Sequence, residues 1–169
     1  GDHKLESALN VSNAETLGGF PKNYGQNPFG TIPCVGGDGV MEIGRFIDYH
    51  YDNTDREKQI MVFRKQLDIA QKYNKPIIVH SRDSIHDTYN ILKEYTLKGS
   101  IHCLSGSVEM AREFIKLGYK IGIGGIITSK NAKTMKEVVK DTDLAYILLE
   151  TDSPYLAPVP HRGEDNNPK

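Results

Sequence analysis

Pro76-Ile77-Ile78-Val79-His80-Ser81-Arg82-Asp83-Ser84 carries the reading of the fold. The proline opens an apolar run too short for a helix, and a histidine closes it. Polar residues follow, and residues 84 to 95 then read as a helix with Ile91, Leu92 and Tyr95 on its inner face. The unit is strand, loop, helix. Working outward, the same order recurs at Met41-Glu42-Ile43-Gly44, Ser100-Ile101-His102-Cys103 and Leu148-Leu149-Glu150-Thr151-Asp152. Each run carries at or near its end a residue able to bind a metal. Parallel strands of such units bring their carboxyl ends to one mouth, so Glu42, His80, His102 and Asp152 are expected to face a common pocket. Two imidazoles and two carboxylates suit zinc, manganese or iron, with magnesium or calcium where oxygens dominate.

Between these strands the punctuation is regular. Thr54-Asp55-Arg56-Glu57 reads as a capping box, and Ile60, Phe63, Leu67 and Ala70 continue a helix over residues 55 to 74. Residues 107 to 117 read as a helix stopped by Gly118, residues 119 to 124 as a strand, 131 to 140 as a helix and 145 to 149 as the last strand. Strand ends near 44, 80, 103, 124 and 150 imply an α/β fold of about five successive βα units, part of a TIM-like (β/α) barrel. A full barrel of eight units takes about 250 residues, and this chain has 169. Residues 17 to 39 hold seven glycines and three prolines. We therefore expect residues 1–39 to be an irregular segment and residues 40–169 to be the βα-repeat domain.

Basic and acidic residues nearly balance, 21 against 22, so no bulk positive field marks a nucleic-acid binder. Metal ions at the mouth could supply that charge locally. No apolar stretch approaches the roughly 20 residues that span a bilayer, and no membrane partner is expected. Cys34 and Cys103 are too few for a disulfide framework, which points to a reduced, cytoplasmic chain.

Ile78-Val79-His80-Ser81-Arg82-Asp83, Ile101-His102-Cys103-Leu104-Ser105-Gly106, Ile123-Gly124-Gly125-Ile126-Ile127-Thr128, residues 148 to 156 and Pro160-His161-Arg162-Gly163 closely resemble the TatD family of metal-dependent deoxyribonucleases. So do residues 48 to 59, and the likeness runs over about residues 40 to 168. The resemblance implies a TIM-like barrel with divalent metal at its mouth (magnesium, manganese or zinc, one or two ions per chain) and cleavage of DNA, as single strands or strand ends. It implies that Glu42 bridges two metals, that His80 and His102 hold one of them, and that Asp152 holds the other and orients the attacking water. Arg82, Ser105 and Arg162 resemble groups that line the substrate groove.

The chain departs from that pattern at three places. The family opens on a His-x-His pair, and no such pair occurs in these 169 residues. The resemblance thus leaves one nearly complete site, Glu42 with His80 and His102, beside Asp152 from a second. Arg45 and Phe46 are inserted between Glu42-Ile43-Gly44 and Ile47-Asp48-Tyr49. Glu164-Asp165 replaces the basic pair after Arg162-Gly163, which should weaken binding of an anionic strand.

Each residue also has a plainer reading. The two histidines could cap strand ends, Asp152 could cap a turn, and Arg82 could form a surface ion pair. Glu150, two residues before Asp152, is placed to orient a histidine from one layer deeper. Cys103 follows His102, and strand alternation turns it away from the pocket into the core. His50, His86 and His161 read as loop or helix-face residues without function. Two rival functions remain beside the nuclease. One is another amidohydrolase-like metal hydrolase acting on a cyclic amide or ester. The other is a catalytically impaired remnant or shortened chain with a single metal site, whose open sheet edges would favour a homo-oligomer.

Overall fold

The computed structural model describes residues 47–50 and 55–167 in full, together with the backbones of two short strands, Cys34–Val35 (β1) and Met41–Ile43 (β2). The elements that follow are α1 Arg56–Lys72, β3 Ile77–His80, α2 Ile85–Leu92, β4 Gly99–His102, α3 Val108–Lys116, β5 Tyr119–Ile123, α4 Lys133–Asp141 and β6 Ile147–Leu149. Short 3₁₀ turns, Gly125–Thr128 and Leu144–Tyr146, precede α4 and β6.

Strands β2 to β6 are parallel and hydrogen-bonded in chain order, and an α-helix lies between each consecutive pair, with two 3₁₀ turns flanking α4. An α/β sheet wound this way is an arc of a TIM-like barrel, as the strand spacing implies. The strands end at residues 43, 80, 102, 123 and 149, within a residue of expectation. β1 lies inside the stretch expected to be irregular and pairs antiparallel with β2, Cys34 opposite Glu42 and Val35 opposite Met41. The 36–39 glycine run, the Arg45-Phe46 insertion and Thr54 lie outside the described residues.

Local chemistry explains the elements. Asp55 caps α1: its carboxylate accepts from the Lys58 N–H at 3.0 Å. Ser107 caps α3 in the same way, and Gly118, at φ 93°, ends the turn after it. Ser84 precedes α2, yet its hydroxyl donates to the Ile47 carbonyl and meets Ser81 Oγ at 3.1 Å. Thr88 closes this buried hydroxyl cluster at 2.9 Å from Ser81, tying the β3–α2 loop to the chain that leaves β2.

The core lies between the helices and one face of the sheet. Ile77 and Val79 on β3, Ile101 on β4 and Ile121 on β5 are wholly buried against Phe63 and Leu67 of α1, Phe114 of α3 and Val138 of α4. Burying each large side chain is worth about 1.5–3 kcal/mol. Alternation sends Ile78 and His80 to the other face, where they stay partly exposed. On β6, by contrast, Leu148 is 44% and Leu149 is 89% exposed. Among the described residues β6 has a strand on one side only. No described helix is long and apolar enough to cross a membrane.

Candidate metal centre

Register brings the two histidines together. His80 closes β3 and His102 closes β4, they are paired positions in the parallel ladder, and their rings lie 6.1 Å apart at 33°. Both sit at the carboxyl ends of strands, where a barrel keeps its chemistry.

His102 is gripped from both sides. Its Nδ1 lies 2.8 Å from Glu150 Oε2 and its Nε2 lies 2.8 Å from Asp152 Oδ1. Glu150 uses its other oxygen to accept the N–H of Cys103. Cys103 in turn donates its thiol proton to Asp152 Oδ2 at 3.2 Å. Burial alone would lower the His102 pKa, but the bonds to Asp152, Cys103 and Glu150 push it up to about 12. The bond from His102 holds the Asp152 carboxyl below its ordinary value, against the effect of burial. Burial raises the Cys103 thiol to about 11. The ring thus stands between two carboxylates, and a divalent ion bound at Nε2 would take the place of any proton there.

Two glycines make room for this arrangement. A Cβ on Gly122 would stand 2.7 Å from Glu150 Oε2 and closer still to Oε1. A Cβ on Gly124 would meet Cys103 Sγ at 3.0 Å. Glycine at alternate positions at the end of β5 therefore opens space for both groups that touch His102 from below and beside it.

His80 has its own carboxylate. Asp48 Oδ2 lies 3.6 Å from His80 Nε2, an ion-pair separation rather than a hydrogen bond. Gln59 of α1 fixes Asp48 by bonding both its backbone groups, accepting from the N–H at 3.2 Å and donating to the carbonyl at 3.1 Å. Burial raises the Asp48 pKa, yet His80 and the N–H of His50 hold it below the ordinary carboxylate value. Each histidine therefore has a carboxylate behind or beside it, an arrangement that fixes ring orientation at metal sites.

The expected residues fall as follows. His102 and Asp152 meet directly, and His80 stands one strand away. Glu42 lies on β2 opposite Ile78, two residues before the level of His80, and its side chain lies outside the described residues. Arg82 is exposed on the β3–α2 loop, where its backbone forms a parallel bridge with Asp48. Ser105 is exposed on the β4–α3 loop. Arg162 is exposed in the C-terminal segment and its guanidinium donates to the Ala157 carbonyl at 3.5 Å. Glu150 orients His102, as its position two residues before Asp152 implies. His50 and His161 pair with Asp83 and Glu164 at the surface.

Cys103 is a correction. Alternation assigns it to the core, but its φ of 43° breaks the pleat immediately after β4 and turns the thiol onto Asp152. Asp48 is also a site group not singled out from the sequence, although Asp48-Tyr49 follows a strand. The donor set suits a metal: His102, Cys103 and Asp152 offer one ligand atom each, all within 4.8 Å of one another. Imidazole nitrogen, sulfur and carboxylate oxygen are all ligands of zinc.

Comparison with known proteins identifies the family. The family described as TatD related DNase matches residues 36–169. An uncharacterized metal-dependent hydrolase of Bacillus subtilis, YabD, is 44% identical over 133 residues, covering 76% of this chain and 52% of that protein. The uncharacterized metal-dependent hydrolase YcfH of Escherichia coli K12 is 39% identical over 135 residues, covering 78% of this chain and 51% of that one. The crystal structure of YjjV, a TatD homolog from Escherichia coli K12, aligns with a TM-score of 0.68 at 35% identity, over 72% of this chain and 48% of that chain. The chain spans about half the length of the curated relatives it matches. With parallel strands in barrel order, a histidine–carboxylate mouth at their carboxyl ends and a family match over residues 36–169, the chain belongs to the TatD-related DNase family.

Proposed function

We propose that this chain carries the metal-binding mouth of a metal-dependent hydrolase that cleaves phosphodiester bonds of DNA, taken as single strands or strand ends. The observation that supports this reading is the Glu150–His102–Asp152 chain at the ends of parallel strands, one strand from His80. A divalent ion bound there (magnesium, manganese or zinc, one or two per chain) would supply a water of lowered pKa and polarise a phosphoryl oxygen. The residues do the rest. Glu150 holds Nδ1 of His102 so that Nε2 faces the mouth. Asp152, ionised at neutral pH by its bond from His102, stands to accept the proton of the attacking water. Glu42 and His80 are the further ligands we assign. The exposed cations Arg82 and Arg162 are suited to non-bridging phosphate oxygens, and Ser105 offers a hydroxyl donor. Glu164 and Asp165 beside Arg162 oppose an anionic strand and lower its affinity. Cys103 as a free thiol favours a reducing compartment, and we place the chain in the cytoplasm.

A second reading, a metal-binding chain without turnover, is favoured by Glu164 and Asp165 beside Arg162, which oppose an anionic strand. One experiment separates the two. Labelled single-stranded DNA is incubated with the metal-free chain and magnesium, manganese or zinc, with EDTA as control, beside His80→Ala and His102→Ala. Trimming that needs metal and disappears in both variants is expected. Intact DNA under every condition, with metal still bound by calorimetry, would leave the metal centre standing and remove the nuclease.

A further inference from the structure

We propose that Cys103 is itself a metal ligand, so that the mouth holds a nitrogen–sulfur–oxygen site, His102–Cys103–Asp152, that selects zinc-like ions over magnesium. The inference rests on the reading of this mouth as a metal centre and adds a ligand to it. Three independent features of the fold aim the thiol there. The left-handed backbone at Cys103, φ 43°, is uncommon for a residue with a side chain and directs Sγ toward the mouth instead of the core. Glu150 holds that turn in place by accepting the Cys103 N–H with the same carboxylate that orients His102. Gly124 leaves the space that Sγ occupies, since a Cβ there would come to 3.0 Å from the sulfur.

The result is a thiol already 3.2 Å from one oxygen of Asp152, while the other oxygen bonds His102 Nε2 at 2.8 Å. Asp152 thus marks the point where all three donors converge. Strained or left-handed backbone persists where the surroundings over-determine it, commonly at functional sites. A sulfur ligand changes which ion is held. Thiolate is a soft donor suited to zinc and cadmium, whereas magnesium demands oxygen and gains nothing from it. Coordination sends the thiol proton to solvent and leaves the sulfur lone pair on the metal.

The test is cadmium and zinc binding to the purified full chain made metal-free. Cadmium should produce the ultraviolet sulfur-to-cadmium charge-transfer band at one ion per chain. The band should persist in Cys34→Ser and vanish in both Cys103→Ser and His102→Ala. In Cys103→Ser, which keeps a hydroxyl donor for Asp152, zinc affinity should fall by more than about tenfold while manganese affinity stays within about twofold. Gly124→Ala serves as a second variant with Cys103 intact, and it should weaken zinc in the same selective way. Cadmium bound at this site without the band, or a band that follows Cys34, overturns the sulfur ligand but leaves a metal centre of nitrogen and oxygen. Failure of the parent chain to bind any of the three ions overturns both this inference and the metal-centre reading beneath it.

Discussion

Gly122→Ala should disable the metal centre without unfolding the chain. Gly122 is enclosed on β5, with β4 on one side and β6 on the other, where it pairs with Leu148. A methyl group there would lie 2.7 Å from Glu150 Oε2, and side-chain carbons essentially never come within 3.0 Å of such an atom. The backbone is held by two ladders, so the Glu150 carboxylate has to move, by roughly 1 Å for ordinary contact. That displacement stretches its 2.8 Å bond to His102 Nδ1 and its bond from the Cys103 N–H. A charge-assisted bond of this kind contributes about 1.5–3 kcal/mol. Loss of such an orienting partner lowers metal affinity by about 10- to 100-fold. Calorimetric titration of zinc into the metal-free variant measures the effect, with thermal unfolding to confirm that the fold is retained. Adding Glu150→Asp to the variant withdraws the carboxylate by one methylene and should recover part of the affinity. Zinc binding within about twofold of the parent, in a folded Gly122→Ala chain, would refute the role assigned here to Glu150 and to the space beneath it.

Tyr119 is buried, and its hydroxyl has no partner among the described residues, so Tyr119→Phe should stabilise the chain by about 1 kcal/mol in denaturant unfolding. Burial also raises the Tyr119 pKa above its ordinary 10.0. The unfolded chain therefore releases this proton first, stability falls as pH rises above 10.0, and the phenylalanine variant should show a shallower alkaline decline. Phe114 packs edge-on against Tyr89 at 5.7 Å and Tyr119 at 6.4 Å, so Phe114→Ala should cost about 3–5 kcal/mol by the same assay. We propose that the β6 edge, unpaired on one side among the described residues and with Leu149 89% exposed, pairs with a second copy of the chain. Sedimentation of the parent should show concentration-dependent association that Leu149→Lys abolishes, and an unchanged association in that variant would place the contact elsewhere.

Much of the architecture is legible in short stretches of chain, because strand and helix propensity are local. Pro76 before an apolar run, Ser107 and Gly118 around α3, and the spacing of strand-end residues are enough to place β3 to β6 and a barrel-like order. The nearness of His80 and His102 follows too, since neighbouring parallel strands of equal phase put their last residues side by side. The cap of α1 sits one residue later than the capping box implies, which is a matter of one hydrogen bond.

The site's finer chemistry is not local. Glu150 reaches His102 across 48 residues of chain, and it does so only because Gly122, on the strand between them, lacks a side chain. Asp48 approaches His80 because Gln59, one turn into α1, holds its backbone from both sides. Cys103 defeats the alternation rule because that rule assumes the extended backbone continues, and one left-handed residue reverses where the side chain points. Periodicity encodes which elements form and which face they bury. Register, the room left by glycines and the sign of a single φ angle set which donors meet, and these exist only once strands far apart in the chain are packed together.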